Sequence, residues 1–354
     1  MTRWPVRSLV LCSLALVASL AAACGTSSAG SGSHGTANIA YAGSLQGLVQ
    51  SSLQPAFSAA TGDALVGKGA GSTALAHDIM DGELSPGVFV SVGSAPIASL
   101  WPSRSHFALR IATDPLVVAY SPKSRDARQL DRIRSGALPL KDLFRLMETP
   151  GFRLGRTDPN VDPQGGFFML MIRRAAQQLH LASGTAARIL GTTPGNSVGT
   201  ATQIYDEVAL PTAIASGSVD AGSDFLTEAR QYHLDYITLP PSLDFADPGD
   251  LRSYSSVHLS LANGQSFPGG LITLDATLVA PPAGLQTART NTAADSAFLA
   301  FLLSPRGQSL LKRAGYRLVA PELHLAPGYK SAPGVLPRDV LTAFRRLGGV
   351  VSAG

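Results

Sequence analysis

Short, almost wholly apolar runs recur along this chain, bounded by turn residues and interleaved with segments of helical spacing. Val88–Val92 and Leu116–Tyr120 are the clearest. A strand that is apolar on both faces must be covered on both faces, which places it inside a sheet flanked by helices. Two consecutive units repeat this logic near the start. Asn38–Tyr41 reads as a strand, Ala42-Gly43-Ser44 as a turn, and Leu45, Leu48, Val49, Leu53, Ala56 and Phe57 recur at helical spacing. Pro55 must bend that helix or start a second segment. Ala64–Val66 is then a weak strand, Gly67–Gly71 a loop, and Ser72 an N-cap for a helix carrying Leu75, Ile79 and Met80. Strand–turn–helix units of this kind predict an α/β fold with parallel strands.

The pattern continues to the C-terminal part. Helices are expected over Leu143–Met147, Phe167–Leu181, Tyr205–Ser216, Ala293–Leu303 and Gly307–Ala314. Strands are expected over Val219–Phe225, Tyr236–Leu239, Val257–Leu261 and Gly270–Val279. The 354 residues suffice for one large domain or two medium ones. No internal repeat is evident.

The first residues read as an export signal. Arg3 and Arg7 form a positive region, Ser8 to Leu20 an apolar one, and Ala21-Ala22-Ala23 lead to Cys24. That segment is too short for a stable membrane span and fits a secretory leader over residues 1–23. The chain has two cysteines, and Cys12 would leave with the leader. Cys24 would then be the first mature residue, without a disulfide partner, and small residues before such a Cys resemble a bacterial lipobox. We therefore expect a lipid anchor on Cys24 and localisation on the outer face of the cytoplasmic membrane. Residues 24–36, rich in Ser and Gly, would form a flexible tether.

Several chemistries find no support in the sequence. Without the leader the chain carries 26 basic against 24 acidic residues, a balance that does not suit nucleic-acid binding. Gly62–Gly69 nearly spells a phosphate-binding loop but ends in Gly69 where Ser or Thr is required. The seven histidines, at 34, 77, 106, 180, 233, 258 and 324, have no metal-ligand spacing. No nucleophile elbow is present. The chain is not expected to be an enzyme.

Three segments stand out instead. Ala42-Gly43-Ser44 and Ala70-Gly71-Ser72 each follow a strand and open a helix. A helix start offers unpaired N–H groups and partial positive charge, Ser adds a donor, and Gly permits close approach. Each turn alone reads as a helix cap. Two at equivalent places in consecutive units point to a shared oxyanion site formed by Ser44 and Ser72. The third segment, Gly155 to Gly166, holds Asp158-Pro159 and Asp162-Pro163 before a helix; a plain turn with a helix N-cap and an oxyanion-binding loop both fit it.

These segments resemble the archaeal type of molybdate/tungstate-binding proteins, the substrate-capturing components of ABC importers. The resemblance rests on both Gly-Ser turns, on Ala112–Tyr120, on Gly155–Pro163, on Ser216–Phe225 and on the ending Phe298–Gly315. It implies a two-lobed periplasmic-binding-protein fold of type II, with two crossovers. Lobe one would comprise residues 37–113 and 257–354, and lobe two residues 114–256. It also implies an oxyanion held by Ser44 and Ser72, with Asp162 (or nearby Asp158) and Asp224 approaching the metal of the ligand. Asp224 stands where the family has Glu, Gln164 where it has Cys or a small residue, and Ser223 and Phe225 where aromatics flank the acid. The implied ligand is molybdate or tungstate, with sulfate, phosphate or another small anion as the alternative and an enzyme or structural surface protein as a more distant one. No cofactor is implied; the implied partners are an ABC permease and the membrane, with a monomeric state.

Overall fold

The computed structural model describes residues 35–191, 202–261, 264–282 and 292–352. The leader, Cys24 and nearly all of the expected tether lie outside them. The chain builds β1 (Thr36–Ala42), β2 (Ala64–Ala70), β3 (Val88–Val92) and β4 (Phe107–Thr113), then leaves for a second sheet. There it forms β5 (Leu116–Tyr120), β6 (Leu154–Thr157), β7 (Thr202–Tyr205), β8 (Ala221–Phe225) and β9 (Asp235–Thr238). A small hairpin of β10 (His258–Ser260) and β11 (Ser266–Pro268) precedes its return. The chain then adds β12 (Thr273–Leu278), β13 (Arg317–Leu325) and β14 (Val350–Ser352) to the first sheet. The first sheet has the order β14-β13-β4-β12-β3-β1-β2 and the second β7-β6-β8-β5-β9. Each sheet with its helices is one lobe of a two-lobed α/β fold, and the chain passes between them twice.

Parallel pairing holds where it was expected earliest: β1 runs parallel to β2 and to β3. Elsewhere the sheets are mixed. β12 runs antiparallel to β3 and β4, and β5 antiparallel to β8 and β9. The direction of β12 follows from its route. It arrives from the second lobe at the end where β3 finishes, Leu274 opposite Val92, so it must run against β3.

Period-two alternation decides which side chain meets which layer. From β1, Ile39 and Tyr41 join the core that holds Phe57, Phe298 and Phe301. Ala40 and Phe89 point to the opposite layer, with Leu75, Ile79, Ile97 and Leu100. Phe57 meets Phe298 and Phe301 edge-on, at 5.4 and 5.7 Å between ring centres. Each such ring removed from water contributes ~1.5–3 kcal/mol. All five residues of β3 and of β5 are buried, as their apolar runs require.

Residues 43–61 form a helical run in which a π turn over Val49–Leu53 gives way to an α-helical segment starting at Gln54, with Pro55 in its first turn as expected. Two local expectations are corrected. Gly67–Ala70 is strand rather than loop, held in register against β1 from Ile39 to Ala42. The segment Tyr205–Ser216 is not one helix. Tyr205 closes β7, a turn follows, and the helix starts only at Leu210.

Candidate functional site

Because β1 and β2 are parallel neighbours with Ala42 opposite Ala70, their two following turns emerge side by side at one sheet edge. Ser44 and Ser72 are both buried there. Their hydroxyls are used differently. Ser72 is not the N-cap, a place taken by Gly71; it is the first helical residue. Its Oγ accepts from the Val92 N–H at 3.1 Å, which ties the helix to β3 and leaves the hydroxyl hydrogen to donate elsewhere. Ser44 Oγ is buried without a well-formed hydrogen bond.

The second lobe meets this edge with carboxylates. The Asp158–Asp162 loop docks directly on the helix start of the first lobe, the Ala74 N–H donating to the Val161 carbonyl at 3.1 Å. A Cβ on Gly71 would stand 2.6 Å from that carbonyl oxygen and 3.1 Å from the Asp162 Cβ, so the docking requires glycine there. Asp162 caps the helix Pro163–Gln178, its Oδ1 accepting from the Gln164 N–H at 3.0 Å. Its Oδ2 is buried without a well-formed hydrogen bond, the Thr157 hydroxyl lying beside it. Asp158 does other work: Oδ1 accepts from the backbone and side-chain amides of Asn160, and its carbonyl accepts from Val161 and Asp162. It shapes the loop that aims Asp162.

Asp224, on β8, accepts from the Phe225 N–H at 2.8 Å through Oδ1 and leaves Oδ2 unpartnered. Two further acids join it. Glu228, in the helix Leu226–Gln231, lies within hydrogen-bonding reach of Asp224. Glu207, just beyond β7, accepts from the Gly43 N–H through Oε2 at 2.6 Å. Glu228 Oε1 and Glu207 Oε1 are also orphaned. Gln164 stitches the set together: its Nε2 donates to Glu228 at 3.1 Å, and its Oε1 accepts from Ser223 at 2.8 Å. Thr227 donates its hydroxyl to buried Asp114, at the β4–β5 crossover, and so fixes the start of the helix that carries Glu228.

Sequence reasoning missed Glu207 and Glu228. Glu207 lay within the segment read as helix. Glu228 had one available signal, an acid in the first turn of a helix that directly follows Asp224.

Four acids thus crowd a water-poor interface. Among the described residues none of the four forms an ion pair with Lys, Arg or His. Burial raises all of their proton affinities. It lifts Asp162 to about 6, with the Gln164 N–H and the Thr157 hydroxyl holding it back. Asp224 rises to about 7, chiefly by burial, against the bonds from Glu228 and the Phe225 N–H. Glu207 is pushed well up by burial and then by Asp162, and Glu228 by burial and then by Asp224. The set can therefore act in two ways: a neutral carboxyl donates a hydrogen bond, and an ionised one offers oxygen to an electropositive centre. A separate cavity of about 300 Å³ adjoins the loop through Asn160 and Pro163, beside His77, Phe167 and Phe267. None of the four acids lines it, so the orphaned oxygens, rather than the open volume, mark the site.

Comparison with known proteins agrees with this architecture. The family of bacterial extracellular solute-binding proteins matches residues 37–317. A Haloferax volcanii protein named as a candidate ABC transporter molybdenum-binding protein is 27% identical over 293 residues, covering 82% of this chain and 84% of its own. An uncharacterised solute-binding protein of Halobacterium salinarum is 25% identical over 301 residues, covering 82% and 86%. The periplasmic molybdate-binding protein of Azotobacter vinelandii superposes with a TM-score of 0.53 at 17% identity, covering 80% of this chain and 99% of that one. That likeness establishes the fold.

Proposed function

We propose a molybdate- or tungstate-capturing role for this chain, which belongs to the bacterial extracellular solute-binding protein family. In this reading the ligand sits between the lobes and is delivered to the permease of an ABC importer. The lobes are residues 37–113 with 257–354, and residues 114–256. The observation that carries the ligand class is the set of buried carboxylate oxygens without well-formed hydrogen bonds on Asp162, which packs against Gly71 before the Ser72 helix, and on Asp224, beside Glu228. Ser44 and Ser72 donate to the oxo groups. Asp162 and Asp224 approach the metal.

Ionised carboxylates and a dianion at close range in a poorly screened site repel strongly. The repulsion is relieved when the carboxylate oxygen coordinates the hexavalent metal, whose coordination can expand, or when the acid is protonated. Sulfur in sulfate and phosphorus in phosphate offer no such coordination. Unpaired acids therefore count against the commoner anions, which is specificity through repulsion. The Haloferax relative, by its name, takes molybdenum, which supports this ligand class. The anchor on Cys24 would hold the protein at the outer membrane face and keep captured ligand near the permease.

The decisive experiment is calorimetric titration of the protein lacking residues 1–24 with molybdate, tungstate, sulfate and phosphate. Tight binding of the first two and weak binding of the others is expected. A preference for sulfate or phosphate would overturn the reading. For the anchor, Cys24→Ser should release the full-length protein from the membrane fraction; retention there would remove the lipid from the account.

A further inference from the structure

We infer that Glu207 is a built-in competitor for the anion cradle of the first lobe, and that it sets the discrimination between oxyanions. The inference rests on the oxyanion reading above and adds a residue that the family resemblance did not supply. Glu207 belongs to the second lobe, two residues past the end of β7, whereas its partner Gly43 follows β1 in the first. The carboxylate crosses the interface to accept from the Gly43 N–H at 2.6 Å, and the Ser44 N–H and hydroxyl lie beside it. These are the donors that a captured oxyanion would use at this turn. Glu207 is 3% exposed, so it is not a surface acid that wandered inward.

Two features indicate a built arrangement. A Cβ on Gly43 would lie 2.7 Å from Glu207 Oε2 and 2.9 Å from Val208 Cγ1, so the approach depends on glycine at 43. Glu207 Oε1 and Ser44 Oγ are both buried, and the Ser44 hydroxyl and N–H turn toward the carboxylate, so Glu207 occupies the side-chain donor of this turn as well as its backbone donors. An entering anion must share the cradle with Glu207 or displace it. An anion bound by hydrogen bonds alone meets the full repulsion of the carboxylate. One whose central metal is engaged by Asp162 and Asp224 has a further source of affinity with which to displace it.

The test is titration of the purified parent and its Glu207→Gln variant with tungstate, molybdate and sulfate. The variant keeps shape and an acceptor for Gly43 but loses the charge. Sulfate binding should strengthen by roughly tenfold or more, tungstate binding should hold or improve, and the tungstate-to-sulfate ratio should shrink by roughly tenfold. An unchanged ratio overturns the inference. So does a tenfold loss of tungstate affinity, which would make Glu207 a ligand rather than a competitor. If the parent binds none of these anions, the oxyanion reading itself falls. A second measurement then judges the interlobe bond alone. Small-angle scattering of parent and Glu207→Ala without added anion should give a larger radius of gyration for the variant, because its lobes lose a latch. Equal radii would show that Glu207 does not hold the cradle.

Discussion

Asp220 and Asp224 lie four residues apart on one stretch of chain and are equally buried, yet the protein treats them in opposite ways. Asp220 receives the Arg153 guanidinium at 2.8 and 3.1 Å and the Arg153 N–H at 2.7 Å. Burial alone would raise its pKa, but the bonds from Arg153 more than reverse this and hold the group below its usual value. Asp224 has one backbone N–H, a second carboxyl group beside it and no cation, and burial drives it up to about 7. A buried acid matched with a guanidinium fork is a structural element. A buried acid left short of partners destabilises the fold and persists where it has another use. Within five residues the chain carries both kinds, and only the second lies among other unpaired acids.

The strongest way to break this contrast is to remove charge at the unpaired acids. Asp224→Asn and Asp162→Asn should each lose tungstate and molybdate binding by roughly a hundredfold or more, about 3 kcal/mol. Both variants should gain some sulfate binding. Asp158→Asn is the internal control and should bind nearly as the parent does, since Asp158 serves the loop. Asp224→Glu should keep or improve tungstate binding. If Asp162→Asn and Asp224→Asn bind tungstate as well as the parent, the carboxylates do not coordinate the metal.

The hydroxyls come next. Losing a hydrogen bond to a charged ligand costs ~1.5–3 kcal/mol, or roughly ten- to a hundredfold in affinity. Ser44→Ala should show this with a smaller change in melting temperature than Ser72→Ala, because its Oγ makes no well-formed bond and lies only beside the Glu207 carboxylate. Ser72→Ala should lose affinity and some stability together, because it also gives up the Val92 N–H. Equal effects from the two variants would contradict the difference drawn between them.

Much of this was legible in the sequence, and the remainder was hidden for physical reasons. The buried runs of β3 and β5 and the paired Gly-Ser turns announce themselves locally, because each depends on residues close in the chain. Asp162 was legible as a helix cap beside proline. Glu207 was not. It sits in a turn whose apolar neighbours, Val208 and Leu210, mimic helical spacing, and its role depends on Gly43, far away in sequence. β13 was also missed, since its first half is exposed and its second alternates buried and half-buried residues around Glu322, without the continuous apolar run that marks a strand covered on both faces. The mixed direction of the sheets depends on the route between lobes, which no local pattern encodes.

Asp220→Asn turns the contrast around. The variant should lose about 1–3 kcal/mol of stability, because the Arg153 fork is left with a neutral partner, while tungstate affinity stays within twofold of the parent. Asp224→Asn should do the reverse, keeping or gaining stability in the absence of ligand. Thermal melts and titrations on the same two preparations decide it, and a loss of binding in Asp220→Asn would mean that the two acids are not independent.

The smallest expected effect, and the one that tests the cause most directly, is the pH dependence of unliganded stability. An acid whose folded pKa is raised binds more protons in the folded than in the unfolded state, so stability falls as pH rises between the two values and is level above the higher one. For Asp224 that interval runs from about 4, the ordinary Asp value, to about 7. Asp162, raised to about 6, adds to the same slope, and Glu207 and Glu228 act in the same direction. Asp220 has the opposite sign: its folded pKa is lowered, so its contribution is present above the unfolded value and is lost as pH falls through the folded one. The melting temperature should therefore peak at mildly acidic pH and decline toward pH 8. Asp224→Asn should flatten the decline by an amount on the order of 1 kcal/mol, a few degrees, because the coupled acids share the titration. Asp220→Asn should leave the decline intact and soften only the loss at the acidic end. If Asp224→Asn reproduces the parent profile between pH 5 and 8, the unpaired acids are not the source of the slope, and the contrast with Asp220 fails at its electrostatic root.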